Sequence, residues 1–249
     1  MIDAWNSLSP SYKLRMGIVV AAILAPWWLG PLRIKEKQKR PASPSEMELL
    51  PGLAAVPAAL AAFAAETQRT LTALGFGRFA ILKQRQGIVL LGIDDTGTVA
   101  AGLALPKPDG SIHSLVGFTT QLAGGAKIRT SNSPLPSIVP PSSGEDRLRL
   151  HTERDASRLY SLHKARVAGA VAAGKRVAAL DVSDPIAYQR REEQSSIAQA
   201  VACGYWARRG EQLVLTWKGA FLSAWRMLPP WRQLAEQRDA RLASRMARA

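Results

Sequence analysis

RFAILKQRQGIVLLGIDDTGTVAAGLALPKPDGSIHSLVGFTTQLAGGAKIRT, residues 78–130, decides the fold class. Its apolar residues do not recur at helical spacing. They gather in short runs rich in Val, Ile, Leu or Thr: Arg78–Lys83, Gly87–Ile93, Thr98–Leu105, Ser111–Thr120 and Lys127–Thr130. Groups with turn chemistry separate them: Gln84-Arg85-Gln86, Asp94-Asp95-Thr96-Gly97, Pro106 to Gly110, and Ala123-Gly124-Gly125. Such runs joined by tight breaks predict an antiparallel β-meander of roughly four or five strands.

Helical patterning flanks this block on both sides. Upstream, Pro57 suits a first helical turn, Leu60, Phe63, Thr67, Leu71 and Leu74 form a stripe, and Gly75 follows as a cap residue. Residues 35–52, with Pro41, Pro44 and Pro51-Gly52, read as a basic, proline-rich linker. Downstream, Pro134, Pro136, Pro140 and Pro141 exclude helix and central strand from 131–147, which reads as an extended surface loop. Thr152 is placed to cap a helix through Ala173, with Gly174 at its end. Val177–Val182 reads as a short strand or connector, and Asp184-Pro185 opens a helix to about Cys203. Tyr205–Arg209 and Gln212–Thr216 pair across Gly210-Glu211 as a hairpin. A helix from Trp217 to Leu228 follows, then Pro229-Pro230 and a basic tail.

The chain has 249 residues, of which 47% are hydrophobic, and a mean hydropathy of −0.04, so it is not disordered throughout. One cysteine, Cys203, excludes a disulfide framework and a cysteine-based zinc cluster within the chain. With 33 Lys+Arg against 19 Asp+Glu the net charge is +14, which favours an anionic partner.

The partner is suggested near the start. Met16 to Leu32 contains no charged residue, and Arg15 and Arg33 bracket it. At ~1.5 Å per residue this run spans roughly 25 Å, slightly less than a hydrocarbon core of ~30 Å. Snorkelling arginines close such a gap, and Trp27 and Trp28 suit the headgroup layer. Arg33, Lys35, Lys37, Lys39 and Arg40 follow the run, against Lys13 and Arg15 before it, so the positive-inside bias places the C-terminal part in the cytoplasm. The organisation expected is therefore a short non-cytoplasmic tail (1–13), a transmembrane signal anchor (14–34), a linker (35–52), an α+β domain (53–182), a helix–hairpin–helix subdomain (183–230) and a basic tail (231–249). Its fold class is α+β: one N-terminal transmembrane helix, then an antiparallel β-meander covered by helices, with a small C-terminal hairpin. Arg15, Trp27, Trp28, Arg33, Lys35, Lys37, Lys39 and Arg40 are the expected membrane-interface residues.

No motif nominates an enzyme. Asp95-Thr96-Gly97 matches the tripeptide of aspartic proteases, but Asp94 precedes it and no second copy exists, so it reads as a hairpin turn. His113, His151 and His163 show no metal-ligand spacing, and His163 borders the apolar stripe of its helix as a satisfied histidine. Neither a phosphate loop nor a nucleophile elbow is present, and no cofactor is implied. The tryptophans cluster at the two ends of the chain. Trp206, Trp217, Trp225 and Trp231 either fill the core beneath the hairpin or mark a wet–apolar boundary.

Two resemblances add to this reading. Phe118-Thr119-Thr120, Gly125 to Ile128, Thr130, Asn132, Pro140-Pro141 and Leu159-Tyr160 with His163 resemble a pattern found in uncharacterised bacterial membrane-anchored proteins. That likeness implies a bacterial inner-membrane location and no particular activity. Residues 204–228 resemble the wing and following helix of winged-helix DNA-binding proteins, which implies nucleic-acid contacts by Arg208, Arg209 and Lys218. The leading expectation is a non-enzymatic, membrane-tethered scaffold or accessory subunit. It would contact anionic lipid, and a protein partner through Pro134, Pro136, Pro140 and Pro141 or through Trp225 and Trp231. The alternatives are a membrane-tethered DNA-binding regulator and an enzyme with a cleft near His113 or His163.

Overall fold

The computed structural model describes residues 14–16, 18, 25, 29–35, 38–84, 87–96, 98–106, 112–133, 141–142, 144–179, 181–228 and 231–246. The architecture is α+β, with antiparallel-rich sheets covered by helices. The chain passes through a short strand β1 (Lys39–Pro41) and then enters a seven-stranded sheet in sequence order. Its strands are β2 (Met47–Leu50), β3 (Arg78–Gln84), β4 (Gly87–Ile93), β5 (Thr98–Pro106), β6 (Ile112–Gln121), β7 (Lys127–Ser131) and β8 (Glu145–Arg149). Neighbours are antiparallel except β7 and β8, which run parallel.

The central five strands follow the apolar runs of 78–130, and both outer strands correct the sequence reading. Residues 35–52 are not simply a linker, because they supply β1 and β2. The expected proline loop ends in β8. Each of these strands is three to five residues long and takes its order from the neighbour it pairs with. Leu50 of β2, for example, lies opposite Ile81 of β3 and is buried.

Helices cover both faces of the sheet, and every residue of β4 is buried as a result. On one face, α1 (Ala58–Ala73) and α2 (Ala156–Ala172) bury Leu60, Leu71 and Leu159 against Ile81, Leu90 and Phe118. α1 comes close because Gly102 stands beneath it; a Cβ there would lie 2.7 Å from Thr67 Cγ2. On the other face, Tyr188 of α3 (Pro185–Ala202) packs with Leu82, Val89 and Leu91. The caps are local: the Asp155 carboxylate accepts from Ser157 N, and that of Asp184 accepts from Ala187 N. Asp155, rather than the expected Thr152, therefore sets the start of α2.

The second sheet has the order β1-β10-β9, with β9 (Trp206–Arg209) and β10 (Gln212–Leu215) forming the expected hairpin across Gly210. Ala42, Trp206, Leu213, Leu215, Ala220 and, from the last turn of α3, Ala200 make its core. One helix thus serves both sheets. Glu192 of α3 pairs with Lys127 and Arg129 on the large sheet, and Glu193 accepts from Ser45 N and Oγ at 2.8 and 2.9 Å. Helices α4 (Trp217–Met227) and α5 (Trp231–Met246) complete the molecule. The expected basic tail is mostly the ordered α5, packed on α2, α4 and β8, with Asp239 and Ala243 buried.

Among the described residues no helix is long and apolar enough to cross a membrane. Of the expected anchor, residues 14–16, 18, 25 and 29–34 are described; Trp27 and Trp28 lie outside the described residues, as does Lys37 of the following basic run.

Candidate functional site

Polar groups collect in one place under α2, on the inner face of the large sheet. Thr98, Thr120 and Thr130 stand on adjacent strands β5, β6 and β7 and are all buried. His163 reaches down from α2, completely buried, and takes a threonine on each side: Thr120 Oγ1 lies 2.9 Å from Nε2 and Thr130 Oγ1 3.1 Å from Nδ1. One turn along, Arg166 Nη1 donates to Thr130 Oγ1 at 2.7 Å and to the Arg129 carbonyl at 2.6 Å. Its Nη2 pairs with the Asp146 carboxylate at 2.8 Å. At the other end, Thr98 Oγ1 sits 2.9 Å from Thr120 Oγ1. The Asp94 carboxylate accepts from Thr98 N at 2.7 Å, from Thr96 N and Oγ1 at 3.0 and 2.8 Å, and from Tyr160 Oη at 2.7 Å.

The donor order of this chain is determined by its ends. Arg166 can only donate and an ionised Asp94 can only accept. Thr96 Oγ1 gives its proton to Asp94 and so accepts from Thr98 Oγ1 at 3.4 Å. Thr98 then accepts from Thr120 and Thr120 from His163 Nε2–H, which leaves Nδ1 to accept from Thr130. This tautomer is assigned from the partners. Burial, with Arg166 adding to it and Asp94 opposing, pushes the His163 pKa down to about 4. Burial together with the bond to Asp94 raises the Tyr160 phenol. Both ring nitrogens are engaged by the protein and the ring is out of water. His163 is therefore a neutral structural member rather than a general base with access to substrate. His113, the other histidine named for an enzymatic cleft, lies on β6 with its side chain outside the described residues.

Five of the residues that carry the first resemblance, Phe118, Thr120, Thr130, Tyr160 and His163, meet here. The Phe118 and Tyr160 rings meet tilted with centroids 5.0 Å apart, Phe118 lies 5.9 Å from His163, and Thr120 and Thr130 bond the imidazole. Asn132 ends β7 by accepting from Val116 N at 2.7 Å and donating to the Glu153 carbonyl at 3.2 Å. Asp94 and Arg166, which finish the network, were not singled out as its members; both look like ordinary turn and surface charges in the sequence. Asp94-Asp95-Thr96 does form the β4–β5 turn as expected.

A different chemistry appears on the surface. Along α4, Trp217, Phe221 and Trp225 recur every fourth residue and are 47%, 46% and 45% exposed. Trp225 stacks on Trp231 at 4.8 Å, and Trp217 lies 6.3 Å from Phe221. Beside α4 lies the helical stretch 29–35, with Leu29 and Leu32 exposed. A groove between them is lined by Leu29, Gly30, Arg33, Ala224 and Met227, and a second by Leu32, Lys35, Lys39, Arg209 and Trp217. Lys35 Nζ stands 4.0 Å over the Trp217 ring. Trp206 alone of these four tryptophans is buried.

The remaining candidate residues scatter. Arg15, Arg33 and Lys39 are exposed, whereas Arg40 on β1 turns its guanidinium over Trp206 at 4.8 Å. Its Nε and Nη2 are buried without a hydrogen-bond partner, and burial lowers its pKa despite the nearby Glu193. Arg208 and Arg209 are exposed at the end of β9, but Lys218 Nζ donates to the Cys203 carbonyl at 2.8 Å and so caps α3. Pro141 is exposed; Pro134, Pro136 and Pro140 lie outside the described residues. No protein-family model, curated protein or solved structure matches this chain.

Proposed function

We propose that this chain is a single-pass, membrane-tethered interaction protein, a scaffold or accessory subunit without enzymatic activity of its own. Residues 14–34 anchor it in a bacterial inner membrane, and the α+β body faces the cytoplasm. The observation that carries this reading is the uncharged run from Met16 to Leu32, closed by Arg15 and Arg33 and followed by Lys35, Lys37, Lys39 and Arg40. The exposure of Leu29 and Leu32 near its end supports it. The saturated polar network under α2 also supports it, because rigid support rather than turnover is what such a network supplies. The protein partner is assigned to the proline-rich loop that includes Pro140 and Pro141.

The test is fractionation of the tagged full chain from cells, followed by mild-detergent purification. The chain should stay with membranes through high-salt and carbonate washes, and a stoichiometric protein should co-elute with it. Recovery of the full chain in the unwashed supernatant sinks the tether. A membrane-bound chain that elutes alone sinks the accessory-subunit role.

A further inference from the structure

We infer that the aromatic face of α4 is a second membrane contact, laid flat on the anionic leaflet beside the anchor. The inference rests on the tethered reading above and adds what the tether leaves open, namely how the body sits on the bilayer.

The occupant follows from position, chemistry and charge. Trp217, Phe221 and Trp225 lie at i, i+4 and i+8, so they form one stripe about 12 Å long along a helix rising ~1.5 Å per residue. Trp231 and Leu234 of α5 extend it, the latter 51% exposed. Aromatic rings held half in and half out of water suit the headgroup layer, where one side meets acyl chain and the other stays wet. The stripe is continuous with Leu29 and Leu32, across a groove lined by Gly30 on one side and Ala224 on the other. The apolar run thus leads directly into this face.

Charge completes the match. From residue 217 to 235 there is no Asp or Glu, while Lys218, Arg226 and Arg232 are basic, Arg232 being paired with Glu236 at 2.8 Å. Arg33 and Lys39 rim the grooves, and Lys35 sits against Trp217. Cations around an exposed aromatic stripe describe an interfacial helix that prefers anionic lipid.

The test places an environment-sensitive nitrobenzoxadiazole label at position 221 of the full chain, as Phe221→Cys in a Cys203→Ser background. The same label at Arg69→Cys, on the exposed side of α1, serves as reference. Each protein is reconstituted into vesicles of phosphatidylcholine alone or of three parts phosphatidylcholine to one of phosphatidylglycerol. Thermal melts of both variants check that the fold is kept, and Trp225→Cys repeats the measurement at a second point. In the anionic vesicles the label at 221 should gain several-fold in emission, shift to the blue and lose most of its quenching by aqueous iodide. The label at 69 should not change. In neutral vesicles the response at 221 should be smaller.

Carbonate-resistant flotation with an unshielded label at 221 overturns the inference while leaving the tether standing. Flotation lost in high salt together with a shielded label overturns the tether and keeps the inference. Shielding that needs no vesicle and grows with protein concentration assigns the face to a second copy and overturns it. Shielding produced equally by duplex DNA in the absence of lipid overturns it in favour of nucleic acid.

Discussion

At the scale of single residues, the buried imidazole of His163 links protonation to stability. In the unfolded chain its pKa is near 6.5, and in the folded chain it is pushed down to about 4. Between those values the unfolded state binds more protons, so stability falls as pH drops from about 6.5 toward 4 and levels off below. The linkage limit for that single group is about 3 kcal/mol. Urea unfolding of the wild type and of His163→Gln at several pH values is the check. The wild type should be clearly more stable at pH 7, and the gap should narrow steadily on acidification. A gap independent of pH would mean that the ring does not titrate as its surroundings dictate. The same scale shows why sequence reading found His163 satisfied but could not name its partners. Thr98, Thr120 and Thr130 lie on three separate strands, and only strand register puts their hydroxyls in line.

At the scale of elements, the hairpin and α4 stand or fall together. Thr216 caps α4 by accepting from Gly219 N at 3.0 Å, while its hydroxyl donates to the Gly204 carbonyl at 2.7 Å. Gly219 packs directly on the hairpin: a Cβ there would lie 2.2 Å from the Tyr205 carbonyl oxygen, a backbone atom with no freedom to withdraw. Gly219→Ala, normally favourable in a helix, should therefore destabilise the chain by roughly 2 kcal/mol or more, read as a lower denaturation midpoint. A neutral effect would mean that α4 does not pack on the hairpin as described. The hairpin, α3 and α4 were all legible from their caps, turn residues and periodicity, because those signals are local. Strands β2 and β8 were not, since a strand of four or five residues becomes one only when a neighbour offers its hydrogen bonds.

At the scale of the whole molecule, the N-terminal segment is stitched into the fold. Leu213 of β10 lies opposite Arg40 of β1, Ala42 N donates to the Glu211 carbonyl, and Ser45 is tied to α3. A chain beginning at residue 29 keeps all of these ties. One beginning at residue 43 loses β1 and leaves one edge of β10 unpaired above Leu213 and Leu215. The chain beginning at residue 29 should match the full chain in melting temperature, and the chain beginning at residue 43 should melt several degrees lower and aggregate. Equal melting would show that β1 contributes little to the fold.

The sequence by itself determined the fold class, the central meander and the order of its helices, together with the apolar run and the excess of positive charge. Each of these is set by local periodicity, turn chemistry or composition, which need no knowledge of distant residues. Only the tertiary structure decided that a supposed linker would close both sheets and that α3 would pin them together. It alone decided that three threonines would line up under His163, and that three of the four C-terminal tryptophans would face outward. Those outcomes depend on which strands pair and which helix faces are left uncovered, and such choices are made by packing among residues far apart in the chain.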